Sequence, residues 1–180
     1  NVDGATDGGV RTLALTGNLL VGTMTLDGQN SDDTITIPVD IDITASNGNL
    51  DLDNTIGAIS LTGTAGENEI KTTGGTGDIS IGAVGNTGTA SDLIVTTASA
   101  TTSGVITMNG AVTGVGYVTI NAGSTTSGNT GDVAINANIT AGDADGGIGI
   151  NIDGTKDITL SATLDAGTGR ALDIDSSSGN

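Results

Sequence analysis

The sequence predicts an all-β fold in which the chain winds into a parallel β-helix, or β-solenoid, with coils of about 25–27 residues. Three observations lead to this prediction. The apolar residues include almost no aromatic side chains, they occur in short alternating runs that end at turn residues, and these runs return at a nearly constant interval. Together they indicate a core that is thin across each coil and long along the axis of the stack.

The apolar residues are almost all small or aliphatic. The 180 residues include one Tyr and 31 Gly but no Phe, Trp, His or Cys, and the apolar fraction of 35% consists mainly of Ala, Val, Ile and Leu. A round domain of this length would need aromatic and other large side chains to fill its thick interior. Disorder is the other interpretation of a chain rich in Gly, Thr and Asp, but a disordered segment has no reason to keep its aliphatic residues in alternation.

One strand pattern, Gly-Asp-Ile-x-Ile or a close variant, returns through the second half of the chain. Its first inward positions are spaced 27, 27 and 25 residues apart. Alternation over so few residues predicts short strands with one buried face. The first inward positions are Ile79, Ile106, Val133 and Ile158.

Two more apolar stretches complete each repeat. A brief one follows the first strand, and a longer alternating run begins about 12–15 residues after the first strand begins. The coil is therefore predicted to have three sides, or two sides with a bent first face, and the density of Gly and Thr disfavours helix. The brief stretches contain Val84, Val112, Ile139 and Leu164, and the longer runs span residues 93–95, 118–120, 148–152 and 172–174.

The regularity of the repeat differs along the chain. Residues 76–180 are predicted to form regular solenoid repeats, and residues 1–75 to form less regular coils of the same solenoid with longer loops. In that first part we expect residues 39–43 to be a strand and Pro38 to lie at a bend or a sheet edge, where a missing N–H is tolerated. The two parts are expected to make one continuous domain, an excerpt of a longer chain.

The charge of the chain is strongly acidic. Its 21 acidic and 4 basic residues give a formal net charge of −17. The scattered basic residues form no patch, so binding to nucleic acid or to an anionic membrane surface is disfavoured. No apolar run approaches the roughly 18 residues of a membrane-spanning helix, and no membrane insertion is predicted in this segment. The basic residues are Arg11, Lys71, Lys156 and Arg170.

Two acidic loops are the candidate metal sites. Asp27, Asp32 and Asp33 lie in the first loop, and Asp143 and Asp145 lie in the second. Clustered carboxylates suit Ca²⁺, which takes about six to eight oxygen ligands from a flexible loop. Neither loop matches the EF-hand or the calcium-binding nonapeptide pattern, so the alternative that these residues only shape and solvate turns stays open. Ca²⁺ is the one candidate cofactor.

Two pairs of carboxylates are separated by a single apolar residue. Asp40 and Asp42 form one pair, and Asp51 and Asp53 form the other, so each pair is predicted to lie on the outer face of a strand. Paired carboxylates can hydrolyse glycosides, which makes a polysaccharide-active lyase or hydrolase the alternative function. No aromatic platform, His or Arg stands beside them in the sequence, so no catalytic residue is predicted and the pairs are interpreted as a solvated surface.

At residues 48–52, 77–81 and 131–135, Gly is followed by Asp or Asn and then by alternating aliphatic residues. This cadence resembles that of the filamentous-haemagglutinin-like and autotransporter-like adhesins of bacterial surfaces, and the resemblance covers most of the chain. It implies a right-handed parallel β-helix and a location that is extracellular or on the cell surface, with the bacterial outer surface as the expected one. The secretion domain of that family is not recognisable in these residues.

The sequence therefore predicts a structural or adhesive module and not an enzyme. We expect a segment of a rod, a fibre or a surface layer. The expected partners are other copies of the chain, associated end to end or laterally, or a surface receptor or glycan. A surface-layer protein stiffened by Ca²⁺ is a further alternative.

Overall fold

A computed structural model of the chain describes residues 2–3, 12–27, 34–53, 58–63, 66–73, 77–86, 91–97, 104–122, 131–142, 148–154 and 156–176. Within these ranges the chain forms 21 short β-strands and no helix. The strands assemble into three parallel sheets of seven strands each. The predicted all-β solenoid is confirmed.

Every third strand returns to the same sheet, so the chain passes through the three sheets in turn. Three consecutive strands, one in each sheet, are called a rung below. The first sheet contains β1 (Val2–Asp3), β4 (Met24–Asp27), β7 (Leu50–Leu52), β10 (Ile79–Ile81), β13 (Ile106–Met108), β16 (Val133–Ile135) and β19 (Ile158–Leu160). The second contains β2 (Thr12–Ala14), β5 (Thr34–Pro38), β8 (Ala58–Thr62), β11 (Val84–Asn86), β14 (Val112–Val115), β17 (Ile139–Ala141) and β20 (Leu164–Asp165). The third contains β3 (Leu19–Val21), β6 (Ile43–Ser46), β9 (Glu67–Thr73), β12 (Asp92–Thr97), β15 (Val118–Ala122), β18 (Ile148–Gly154) and β21 (Ala171–Ser176).

The register of the first sheet confirms the predicted repeat. Ile79 pairs with Ile106, Ile106 with Val133, and Val133 with Ile158, all in parallel strands. Leu50 extends the same column toward the N-terminus. The predicted inward positions therefore lie above one another along the axis of the solenoid.

The other two sheets show that the coil has three sides. In the second sheet the column runs through Val84, Val112, Ile139 and Leu164. In the third sheet the column runs through Leu93, Val118, Ile150 and Leu172. Both columns contain the apolar positions that the sequence pattern marked as inward.

Side chains alternate between the interior and the surface along most strands. In β5, Ile35 and Ile37 are buried and the residues beside them are partly exposed. Aliphatic residues from all three sheets fill the interior, and burying one of them contributes roughly 1.5–3 kcal/mol. The stability of the stack therefore accumulates rung by rung.

The corner between β5 and β6 differs from the strand predicted over residues 39–43. Val39 and Asp40 form a turn, and β6 begins only at Ile43. Asp40 has a φ of 60°, in the left-handed region that Asp tolerates better than most residues. Pro38 closes β5 directly before this turn, so its missing N–H falls at a bend.

Candidate functional site

The Asp and Asn residues of the repeated cadence connect each rung to the next. Asn49 Oδ1 accepts a hydrogen bond from the backbone N–H of Asp78 at 3.0 Å, and Asp78 Oδ1 accepts one from Val105 at 2.8 Å. Asp132 Oδ1 accepts from the N–H of Asp157 at 3.3 Å. These side chains supply acceptors for backbone groups at the corner, so their role in the cadence is to hold the stack together.

The glycines of the cadence are required by close packing between rungs. A Cβ on Gly77 would lie 2.2 Å from the carbonyl oxygen of Gly48, and a Cβ on Gly104 would lie 2.1 Å from that of Gly77. Gly is the one residue that permits this approach. The repeated Gly therefore marks a corner at which the backbone of one rung packs directly on the backbone of the preceding rung.

The Asp51 and Asp53 pair lies on the first sheet, where the structure brings it together with side chains of later rungs. Asp51 is half-buried on β7 and is in register with Ser80 of β10. Asp53 Oδ2 accepts hydrogen bonds from the Ser80 hydroxyl and, at 2.5 Å, from Asn109 Nδ2. Asn136 Nδ2 then donates to Asn109 Oδ1 at 2.9 Å. We call these five residues the polar ladder.

Hydrogen bonds within the polar ladder lower the pKa of the Asp53 carboxyl. Burial by itself raises the pKa of Asp53, but hydrogen bonds from Asp51, Ser80 and Asn109 outweigh it, and the pKa of Asp53 is lowered. These hydrogen bonds favour the ionised form of the Asp53 carboxyl.

The contact between Asp51 and Asp53 sets the chemistry that the pair can perform. Two carboxyls in hydrogen-bonding contact are closer than the roughly 5 Å or more that separates the acid and the nucleophile or base of most glycoside hydrolases. Hydrogen-bond donors already surround Asp53 on the solenoid surface. Sequence reasoning found the two Asp residues but missed Ser80 and Asn109. The first-sheet register places Ser80 beside Asp51, whereas the contact from Asn109 to Asp53 skips a rung.

The second predicted pair, Asp40 and Asp42, does not share a strand face, and that prediction is wrong. Asp40 lies exposed in the turn after β5. Asp42 Oδ1 accepts a hydrogen bond from the N–H of Glu69 at 3.1 Å, and the N–H of Asp42 donates to Asn18 Oδ1 at 3.1 Å. The left-handed conformation of Asp40 turns the chain, so the alternation of side chains breaks between these two residues.

The predicted metal loops lie almost wholly outside the described residues. Asp32, Asp33, Asp143 and Asp145 all fall there, and Asp27 is described only as the backbone end of β4. In the described parts of the chain, no three or more His, Cys, Asp or Glu side chains are grouped so as to hold a metal ion. The Ca²⁺ sites stay predictions.

A cluster of carboxylates that sequence reasoning missed lies on the third sheet. Asp153 of β18 is in register with Asp175 of β21, and Asp173 precedes Asp175 on the same face. Burial raises the pKa of Asp153, repulsion from Asp175 and Asp173 raises it further, and a hydrogen bond from Asn151 opposes the change. The two-residue spacing of Asp173 and Asp175 was the available signal, but only the register adds Asp153.

The last described rung is covered on one side only. Among the described strands, β19, β20 and β21 each pair with a single neighbour. Leu160, Leu172 and Ile174 are 43%, 44% and 39% exposed, although they continue columns whose earlier members are buried. The interior of the solenoid is therefore open to solvent at this end of the described chain.

These features define the chain as a parallel β-solenoid repeat protein. No helix within the described ranges is long and apolar enough to cross a membrane. No family model, curated protein or solved structure matches the chain.

Proposed function

We propose that the chain is a structural or adhesive module, a length of an extracellular rod, fibre or surface layer. The observation that supports this most directly is the use of polar side chains at the corners. Asn49, Asp78 and Asp132 each satisfy a backbone N–H of the following rung. Side chains that hydrogen-bond one rung to the next favour a structural role, in which the function depends on the length and stiffness of the solenoid.

The adhesive role and the bacterial surface location rest on the cadence of the sequence and on its charge. The Gly-Asp-Ile-x-Ile pattern resembles that of filamentous surface adhesins. A net charge of −17 keeps such a rod soluble and disfavours lateral sticking between like-charged faces. A surface receptor or glycan is the expected ligand of the adhesive form.

End-to-end association is the mode of assembly that we propose for this chain. Leu160, Leu172 and Ile174 lie exposed in the last described rung, on strands that have no further neighbour among the described strands, and such edges accept a further parallel strand. A contact between two such ends would bring Asp173 and Asp175 of both copies close together. A head-to-tail contact avoids this repulsion and is open-ended, so it builds a filament.

Solution measurements on the 180-residue chain test the proposal. Small-angle scattering and sedimentation velocity over a range of concentrations should show particles that lengthen while their cross-section stays constant. Leu172→Asp should shift the chain toward the monomer, because it places a charge on the exposed end of an apolar column. A dispersed monomer at every concentration would contradict end-to-end assembly.

A matched variant separates end-to-end from lateral association. Thr113 is exposed on β14, in the middle of the solenoid, and Thr113→Asp adds the same charge away from either end. The end-to-end proposal expects Thr113→Asp to assemble like the unmodified chain. Equal loss of assembly in both variants would indicate a lateral contact instead.

A polysaccharide-active enzyme is the second candidate function, and the polar ladder favours a lyase over a hydrolase, because the contact between Asp51 and Asp53 does not match the carboxyl separation of most glycoside hydrolases. Asp51 and Asp53 lie in contact on a sheet face, with Ser80 and Asn109 as neighbouring donors. Assays on acidic and neutral polysaccharides should be run with Asp51→Asn and Asp53→Asn, and with Asp165→Asn as an exposed control. Activity that only the first two changes abolish would overturn the structural proposal.

A further inference from the structure

Asn68 is a polar residue in an apolar column of the third sheet. It is in register with Leu93, which pairs in turn with Val118. Its side chain is fully buried, with a relative exposure of 0%. A buried amide in such a column needs hydrogen-bond partners for both its nitrogen and its oxygen.

The nitrogen of Asn68 has its partners in the corner between β5 and β6. Asn68 Nδ2 donates to the carbonyl oxygens of Pro38 at 2.6 Å and Ile41 at 3.1 Å. These two carbonyls flank the turn at Val39 and Asp40, so the amide group holds that turn from inside. Asn68 Oδ1 is buried and has no hydrogen-bond partner within the described chain.

Ser91 presents a second buried oxygen in the next rung. It lies one residue before β12 and continues the inward alternation of that strand, with a relative exposure of 0%. The N–H of Asp92 donates to the carbonyl of Gly66, which places Ser91 one rung beyond the segment that contains Asn68. Ser91 Oγ likewise has no partner among the residues that the structure describes.

We propose that a water molecule bound inside the solenoid bridges Asn68 Oδ1 and Ser91 Oγ. The two oxygens belong to adjacent rungs, at inward positions two residues apart in register, and a buried water commonly completes the hydrogen bonding of such polar atoms. The water donates one hydrogen bond to Asn68 Oδ1. It makes a second hydrogen bond with the Ser91 hydroxyl, which can act as donor or acceptor. The water thereby completes the hydrogen bonding of Asn68. The same side-chain amide donates to the carbonyls of Pro38 and Ile41 and so holds the two sides of the turn together.

Water fits this site better than a metal ion does. A hard cation such as Ca²⁺ needs about six to eight oxygen ligands, whereas a buried water needs about two to four partners. The corner carbonyls are already hydrogen-bonded to Asn68 Nδ2. Of the carboxylates at this corner, that of Asp40 belongs to an exposed residue, and Asp42 Oδ1 already accepts a hydrogen bond from the N–H of Glu69 at 3.1 Å.

The test uses the full chain in two measurements. A crystal structure at about 1.5 Å should show one ordered water within hydrogen-bonding distance of both Asn68 Oδ1 and Ser91 Oγ. NMR should detect magnetisation transfer from a long-lived water to the side-chain amide protons of Asn68. A dry site, a direct hydrogen bond between the two side chains, or density with the short distances and high coordination of a metal ion would each overturn the proposal.

Two variants connect the water to Ser91. Ser91→Ala removes one of its partners and should abolish the water signal at the Asn68 amide. Thr97→Val is the matched control, since the buried Thr97 hydroxyl donates to the carbonyl of Gly104 at 2.9 Å and faces a different corner. The control should leave the water signal unchanged, and an undiminished signal in Ser91→Ala would overturn the bridging geometry.

Discussion

The side-chain amide of Asn109 donates a hydrogen bond to Asp53 Oδ2 at 2.5 Å, although the two residues lie 56 positions apart and two rungs apart in the stack. Gly82 occupies the corresponding corner of the rung between them, and its backbone N–H donates to the carbonyl of Leu52 at 3.2 Å. Because Gly82 has no side chain, Asn109 can reach over that rung. The polar ladder therefore depends on a glycine as much as on its polar members.

Replacement of Asn109 should release Asp53 from one of the hydrogen bonds that lower its pKa. We expect Asn109→Ala to raise the pKa of Asp53 and to destabilise the fold by roughly 0.5–1.5 kcal/mol near neutral pH. The sign follows because the pKa of Asp53 is lowered in the folded chain. Its ionised carboxylate stabilises the fold at a pH above the ordinary pKa of Asp, and this stabilisation is lost as the pH falls through the folded pKa. Carbon-13 NMR titration of the Asp53 carboxyl measures the change.

Asn136→Ala is the control for that measurement. Asn136 donates to Asn109 Oδ1 and lies one rung further from Asp53, so its removal should leave the Asp53 titration nearly unchanged. If both variants moved the Asp53 titration equally, the effect would come from a general loosening of the corner and not from the Asn109 hydrogen bond.

The glycines of the cadence should tolerate no side chain. Gly104→Ala would place a Cβ 2.1 Å from the carbonyl oxygen of Gly77, so adjacent rungs must separate. We expect a loss of at least roughly 1–3 kcal/mol in the free energy of unfolding, measured by urea denaturation. Gly85→Ala is the matched control, because nothing lies within 4 Å of its Cβ position. Equal destabilisation by the two changes would show that packing between rungs is not the cause.

The sequence was sufficient to predict the stacked strands because their signal is local and repeated. Ile79, Ile106 and Val133 each begin the same alternating segment, and their spacing gives their register directly. The corner at Asp40 was not predictable in this way, since a left-handed turn interrupted a run that kept its apolar alternation. The contact between Asn109 and Asp53 was also hidden, because it skips a rung.

The carboxylates of the third sheet should make stability depend on pH in the direction opposite to Asp53. Burial and the charges of Asp175 and Asp173 raise the pKa of Asp153 above its ordinary value of 3.8. Ionised Asp153 therefore destabilises the fold above its folded pKa, and the penalty disappears as the pH falls below the ordinary value. Asp153→Asn should stabilise the chain at pH 7 by less than about 1 kcal/mol.

Denaturation at pH 7 and at pH 3 measures this difference. The stabilisation by Asp153→Asn should be present at the higher pH and absent at the lower one. Asp175→Asn removes one repelling charge and leaves Asp153 in place, so it should reproduce part of the gain at pH 7. A stabilisation of the same size at both values of pH would point to packing and not to charge.

The Ca²⁺ hypothesis for the two acidic loops makes a distinct thermal prediction. If Asp143 and Asp145 help to bind Ca²⁺, its addition should raise the melting temperature in a saturable way that a chelator reverses. A chain with a net charge of −17 is also stabilised by screening from any divalent salt, so Mg²⁺ at equal concentration is the control. Ca²⁺ should raise the melting temperature more than Mg²⁺ does, because a flexible loop of carboxylates suits the larger ion. The variant with both residues changed to Asn should lose that excess, and equal responses to the two ions would leave screening as the whole effect.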